Sequence, residues 1–330
     1  MLNFTRRRWN EYCKRVARLN QIITVVEQFT VTPEVQQTLE QEIQLSVEFL
    51  QKINMVTVAA QTGEKVGIGV SGPIASRTDT SGNKERNPRD VSTTKARKYF
   101  CNQINYDTFI SYAKLDAWAH KPDFQILLRN AIVIRQALDR IMIGWNGTHA
   151  ADDTDLTTNP NLEDVAPGWL QKLRTEAPMQ VMSGIQIGGT GKDYDSLDGL
   201  VYDAKNTLIK PWHRKDPNLV CIVGDELLTE KYLPLVDKQN APTEKVALNE
   251  LLRSLKLGGL DPEEAPFFPS HSILITRLDN LSIYVQRDAR RRTILDAPKK
   301  NRIENIESSN DDFVVEDTDC AVLIENITFG

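Results

Sequence analysis

The sequence predicts an α+β chain that does not support all of its own parts. Three observations lead there: a ribbon of alternating residues with a long polar tip near residues 56–115, one strong helix at 122–145, and a C-terminal third made mostly of strands. At 330 residues, 40% hydrophobic and 26% charged, the chain can bury a core divided among two or three subdomains. A net charge of -5 gives no overall affinity for nucleic acid. Cys13, Cys101, Cys221 and Cys320 are far apart and form no C-x-x-C, so neither a zinc site nor a redox pair is expected, and a reducing compartment is. No apolar run approaches the roughly 20 residues that span a membrane. The basic N-terminus lacks the apolar stretch of a secretory signal.

Residues 1–20 hold six Lys or Arg and one Glu, with Trp9, Tyr12, Cys13, Val16 and Leu19 on one helical face. This is either an ordinary solvated helix or a basic arm for an acidic partner or nucleic acid. Pro33 suits a first helical turn, and Val35, Leu39, Ile43 and Val47 follow at helical spacing, so residues 33–50 are expected to be helical. In the ribbon, Val66, Ile68 and Val70 alternate with Lys65, Gly67, Gly69 and Ser71 on the way out. Ile104, Tyr106, Thr108, Ile110 and Tyr112 return at period 2. A polar tip of about 25 residues is unusual inside a compact domain. A two-stranded ribbon is itself marginal in water, so support from outside the chain is expected.

Pro122 and Asp123 open the long helix, Gly144 or Gly147 could end it, and Phe124, Leu127, Leu128, Ala131, Leu138, Ile141 and Met142 form its apolar face. Its length would be roughly 35 Å, a spine for a domain. Residues 151–160 are acidic like a calcium loop but lack its glycine and closing glutamate, so they read as a solvated turn. Helices around Val165–Thr175 and Leu197–Ile209, a buried strand at Leu219–Gly224, a helix at Glu226–Lys238 and an apolar segment at Val246–Leu257 make an α/β middle. "SILITRLDNLSIYV" reads as a hairpin turning at Asp279 and Asn280. Strands at Phe313–Asp317 and Cys320–Ile327 follow. Arg287, Arg290, Arg291, Arg292, Lys299, Lys300 and Arg302 precede Glu304, Glu307, Asp311, Asp312, Glu316, Asp317 and Asp319. These are either two solvated faces or patches that meet their opposites on a neighbouring copy.

Local motifs for chemistry are near misses. "GIGVSG" fits G-x-G-x-x-G through Gly67, Gly69 and Gly72, but Pro73 and a polar stretch follow where a helix must start. A dinucleotide-binding enzyme using those three glycines stands as a rival reading. "GVSGP" has Pro73 in place of the last glycine of G-x-S-x-G. "GGTGKD" (Gly188–Asp193) has Gln186 where a P-loop needs glycine and Asp193 where it needs Ser or Thr. His120, His149, His213 and His271 form no metal-ligand spacing. No catalytic, cofactor or metal residues are assigned.

An unsupported ribbon, a spine helix, an α/β middle and late strands follow one another in an order that resembles the HK97-fold major capsid proteins of tailed phages. The segments "GEKVGIGVSGPIASRTDTSG", "RNPRD", "CNQINYDTFISYAKLDAWA", "DFQILLRNAIVIRQALDRIMIGWNG", "NPNLEDVAPGWLQKLR" and "LSIYVQRDARRRTILDAPKKNRIENIESSNDDFVVED" are similar to the P2-type branch. The resemblance covers nearly the whole chain; the stretch before Asp193 and Leu257–Pro269 depart from it. It implies an N-terminal arm at 1–55, an extended E-loop hairpin at 56–116 lying across the adjacent subunit, a P-domain spine helix at 117–159, an axial A-domain at 160–270, and P-domain strands with the C-terminus at 271–330.

Further, it implies hexamers and pentamers closing an icosahedral head around double-stranded DNA, without enzymatic activity. The implied partners are an internal scaffold with a prohead protease, and a portal protein. The protease would trim the basic arm near Gln28–Thr32. The implied location is the virion, assembled in the host bacterial cytoplasm. Lys84 lies at the E-loop tip, but P2-type shells are not expected to cross-link through it. The second rival is a nucleic-acid-binding protein using the basic N-terminal arm.

Overall fold

A computed structural model describes residues 1–65, 75–81, 85–88, 97–118, 124–189, 191–229 and 256–329. Two large sheets hold most of the described strands. The first has seven and is built around a long strand, β14 (Arg302–Val315). On it lie β13 (Arg291–Ala297) with β1 (Phe29–Thr30) beyond, and β12 (Leu281–Gln286) with β2 (Asn54–Val58) beyond. Strands β5 (Asn102–Asn105) and β6 (Thr108–Ser111) also pair with β14. All pairings here are antiparallel except β2 with β12. The second sheet runs β10 (Asp261–Glu263), β9 (Leu219–Val223), β11 (Ile273–Arg277), β15 (Val322–Glu325), β7 (Val181–Ser183). Two further pairs are β8 (Gln186–Ile187) with β16 (Thr328–Phe329), and β3 (Thr62–Lys65) with β4 (Arg97–Phe100).

The second sheet is buried on both faces, which explains its continuous apolar runs. Ile222, Leu274 and Leu323 face the core shared with the first sheet. Their neighbours Cys221, Val223, Ile273, Ile275, Val322 and Ile324 face a second core closed by helix α7 (Leu197–Leu208). The expected hairpin in "SILITRLDNLSIYV" is not formed. β11 pairs with β9 and β15, β12 with β14 and β2, and the turn Leu278–Asn280 carries the chain from one sheet to the other. Asn280 fixes that turn by donating to Thr276 and to the Asp317 carbonyl.

The helices match their periodicities with local corrections. α1 (Asn3–Leu19) buries Val16 and Ala17, while Leu19 is exposed; Trp9, Tyr12 and Cys13 are half-covered. The helix expected at 33–50 is two, α2 (Pro33–Ser46) and α3 (Glu48–Lys52), with Val47 extended between them. After β6, α4 (Tyr112–Trp118) begins at Tyr112, which the period-2 reading placed in the return strand. That return strand is itself split into β5 and β6. The spine helix α5 (Phe124–Asn146) continues past Gly144 and stops before Gly147; Ala131 is exposed. Its buried face is Val133, Ala137, Ile141, Met142, Ile143 and Trp145.

Gly144 lies beneath Trp169 of α6 (Trp169–Glu176): a Cβ there would sit 2.2 Å from the indole. The indole packs 4.7 Å from Trp145 and donates to the Ser282 carbonyl. No described helix is long and apolar enough to cross a membrane. The glycine motif at Gly67–Gly72, Lys84, His120 and most of the expected segments at 226–238 and 246–257 lie outside the described residues.

Candidate functional site

Two clusters of charge organise the body. The first joins α2, α5 and the first sheet and is closed to water. Gln36 and Glu40 occupy one side of α2; Gln136 and Arg140 occupy one side of α5, each pair one helical turn apart. Arg140 is fully buried, pairs with Glu40, and donates through Nε to Asp311 on β14 at 2.9 Å. Arg290, equally buried, donates to Glu40 at 2.7 Å, to Glu307 at 2.7 Å and to Gln136 at 2.8 Å.

Burial raises the Glu40 carboxyl, but Arg140 and Arg290 outweigh it and hold the group below its ordinary value. Glu307 is lowered in the same way by Arg290 and Arg292 against its burial. Asp311 goes the other way: burial dominates, Glu40 adds repulsion, and the group is raised despite Arg140. Its Oδ2 accepts from Arg140 and from the Tyr106 hydroxyl at 3.4 Å, while its Oδ1 has no hydrogen-bond partner.

The second cluster is at the base of the β3–β4 pair. The ladder sets Gly63 opposite Tyr99 and Lys65 opposite Arg97, all on one half-buried face, while Thr62, Glu64, Lys98 and Phe100 point away, half-covered or exposed. Directly opposed like charges repel; here both cations are aimed at the far end of β14. Lys65 Nζ meets Glu316 Oε2 at 2.5 Å and the Val315 carbonyl at 3.2 Å. Arg97 donates to the Val315 and Glu316 carbonyls at 3.3 and 2.9 Å, with Glu176 of α6 at 3.6 Å.

Tyr99 lies across Gly63 and edge-on to Tyr284, whose hydroxyl donates to Glu316 at 3.0 Å. The Phe100 amide donates to Asp312, which Lys172 also meets at 3.1 Å. Burial lowers Lys65 in spite of Glu316. The walls enclose a crevice lined by Lys65, Arg97, Lys172, Glu176 and Val315, too small for an organic ligand. Among the described residues no group of His, Cys, Asp and Glu could hold a metal ion.

Neither cluster has the geometry of a reaction centre; both tie elements together. The family model for phage major capsid proteins of the P2 family matches residues 8–327. The chain belongs to that family. A protein from Escherichia phage P2 described as "Capsid proteins" is 48% identical over 99% of this chain and 95% of its own length. The major capsid protein of Serratia phage KSP20 is 43% identical over 100% and 98%. A chain in the structure of the satellite phage P4 procapsid with its size-determination protein is 46% identical, covers 100% of this chain and 99% of its own, and superposes with a TM-score of 0.81.

The fold is therefore the α+β, HK97-like capsid fold, and the protein is a structural component of a phage capsid, not an enzyme. The dinucleotide reading of Gly67, Gly69 and Gly72 falls with that assignment.

As a P2-family capsid protein, the chain uses its segregated charges in a way that neither sequence alternative described. Residues 287–302 and 304–319 are the two sides of the β13–β14 hairpin and its flanks, and much of their charge is neutralised within the chain. Arg290 meets Glu307, Arg302 meets Glu304 at 2.6 Å, and Arg292 donates to Asn305 and Tyr12. Basic α1 lies on the same hairpin, joined by Arg6 to Asp296, which also takes the Tyr112 hydroxyl. The Leu2 amide donates to Asp116 at 2.8 Å.

His213 and His271 are each at a carboxylate on or near the surface, Asp317 and Glu226. In the "GGTGKD" stretch, Asp193 accepts from the Gln186 amide, which closes a turn. Asp155 likewise caps the 151–160 loop. The sequence reading missed both clusters. For the first, a signal existed: polar Gln136 and Arg140 sit at positions where the stripe of α5 continues.

Proposed function

We propose that this chain is the building unit of a tailed-phage head: copies form hexamers and pentamers that close an icosahedral shell around packaged double-stranded DNA, which they touch without sequence-specific contacts. One observation supports the role of the arm above others. β3 and β4 form a two-stranded ladder of their own, and neither joins either large sheet of its own chain. Such a pair is marginal alone. On this reading residues 56–116 are the E-loop: the chain itself holds its base, through β2, β5 and β6 in the first sheet and through Lys65 and Arg97 at the end of β14, and a neighbouring subunit supports the arm beyond that base.

Residues 117–159 and the first-sheet strands of 271–330 then form the P-domain, and 160–270 the axial A-domain, with 1–55 as the N-terminal arm; β11 and β15, expected in the P-domain with the rest of 271–330, go with the A-domain because they pair with β9 and β7. An internal scaffold, a prohead protease that trims the arm near Gln28–Thr32, and a portal protein are the expected partners, met in the host bacterial cytoplasm. Affinity at each contact can be modest, because every subunit has many neighbours.

Co-expression with the internal scaffold, followed by sedimentation and negative-stain imaging, tests the reading. Full-length chain should sediment as shells or capsomer rings. Deleting residues 78–92 should leave a folded chain that does not assemble. Normal shells from that deletion would refute the role given to the arm.

A further inference from the structure

We infer that Lys65, Arg97, Tyr99 and Gly63 form a saddle that sets the direction in which the β3–β4 arm leaves the body, and that this direction, more than the stability of the chain, is what they serve. The inference rests on the proposal that the arm reaches a neighbouring copy. The ladder is four residues long on each side. A ladder that short has little stiffness of its own, so its angle depends on what its inner face touches.

That face meets three elements of the body. Lys65 and Arg97 take the Val315 and Glu316 carbonyls and the Glu316 carboxylate at the end of β14. Arg97 reaches Glu176 on α6. Tyr99 leans on Tyr284 of β12. The Phe100 amide adds Asp312. Two cations placed opposite each other would split the strands if they were not held from below. A Lys–Arg pair across a ladder therefore costs the isolated arm and stabilises it when seated.

Gly63 completes the fit. A Cβ at residue 63 would lie 2.6 Å from the ring and hydroxyl of Tyr99, so any side chain there lifts the ring from Tyr284 and tips the ladder. Errors of angle at the root grow with distance along the arm and recur at every subunit of a shell.

The test uses full-length chain co-expressed with the internal scaffold. Three forms are compared with the parent: Lys65→Met with Arg97→Met, Gly63→Ala, and Lys65→Arg, which keeps the cation. The first two should keep the parental circular dichroism spectrum and urea midpoint. Their yield of closed shells of parental diameter should fall about tenfold, as a loss of about 1.4 kcal/mol from the contact between subunits would give, with the remainder in open or irregular sheets. Lys65→Arg should restore closed shells.

If both the double variant and Gly63→Ala close shells of parental diameter at parental yield, the saddle has no directing role. A drop in assembly matched by a drop in urea midpoint in both forms would make it a stability element and overturn the inference as well. The 78–92 deletion separates the two layers of argument. Failure of the deletion to assemble beside normal root variants refutes the saddle alone, whereas normal assembly by the deletion refutes the role of the arm.

Discussion

The spine junction and the arm root contain similar chemistry, cations facing carboxylates on or beside β14, and use it oppositely. At the junction Arg140 and Arg290 are wholly buried and bonded to Glu40, Asp311 and Glu307 from other elements. At the root Lys65 and Arg97 remain partly open to water and make most of their bonds to backbone carbonyls. A buried ion pair contributes little net stability when complete but is expensive to break, because the surviving charge has no water to turn to. A half-buried pair that water can still reach loses less when broken, since water replaces part of the lost partner. The junction should therefore decide whether the chain folds, and the root how a folded chain presents its arm.

The strongest way to break this contrast is Arg140→Met. It strands Asp311, leaves Glu40 with Arg290 alone, and should cost about 3–5 kcal/mol, read as a large fall in the urea midpoint. Glu40→Gln should fall in the same range, because it serves both arginines. A shift as small as that of a surface variant would mean the junction is hydrated and the two regions are alike. Next in size is Gly144→Ala. The added methyl meets Trp169 at the point where α5 and α6 approach, and overpacking there should cost about 1–3 kcal/mol. It tests whether the junction's rigidity comes from the aromatic packing beside it.

The pH profile sharpens the junction further, because its carboxylates are shifted in opposite senses. Glu40 and Glu307 are lowered, so the unfolded chain binds more protons than the folded one below about pH 4.3 and stability rises with pH through the acid range. Asp311 is raised, so above about pH 3.9 the folded chain holds a proton that the unfolded chain has released, and its contribution falls as pH rises. Asp311→Asn removes the titrating group and with it the descending part. The urea midpoint of the variant, relative to the parent, should therefore improve from pH 4 towards neutrality (about pH 7). A constant difference across that range would show Asp311 to be ionised in the folded chain.

Much of the frame was legible because it is local. The stripe of α5, the N-terminal turn of α2 at Pro33 and the apolar runs of β9 and β15 depend on residues a few positions apart. What escaped depends on distance along the chain. "SILITRLDNLSIYV" has the pattern of a hairpin, and nothing within it records that β9 and β15 occupy both edges of its first strand. Arg140 and Glu40 are 100 positions apart, and Arg290 is 250 from Glu40. A charged residue on a helix is ordinarily solvated, so only its place within the apolar stripe hints at burial. The root was hidden differently. "TGEK" and "RKYF" face each other across more than thirty intervening residues, and their register, not their composition, brings Lys65 opposite Arg97.

The smallest effect concerns α1, which combines both kinds of contact. Its outer latch is the pair of Arg6 with Asp296, both about one-third exposed in their side chains. Its inner contact is Val16 and Ala17 against a core that includes Ile110, Ile294 and Ile303. If burial holds the helix, Asp296→Asn should shift the urea midpoint by no more than about 1 kcal/mol equivalent. Val16→Ala should cost more, about 0.8 kcal/mol for each buried methyl carbon removed. Limited proteolysis of the segment 20–28, between α1 and β1, reads the same question on the arm itself. Faster cleavage in Val16→Ala than in Asp296→Asn would place α1 with the junction, as part of the folded body. The reverse order would place it with the root, as an element held at the surface by charge and released when that charge is lost.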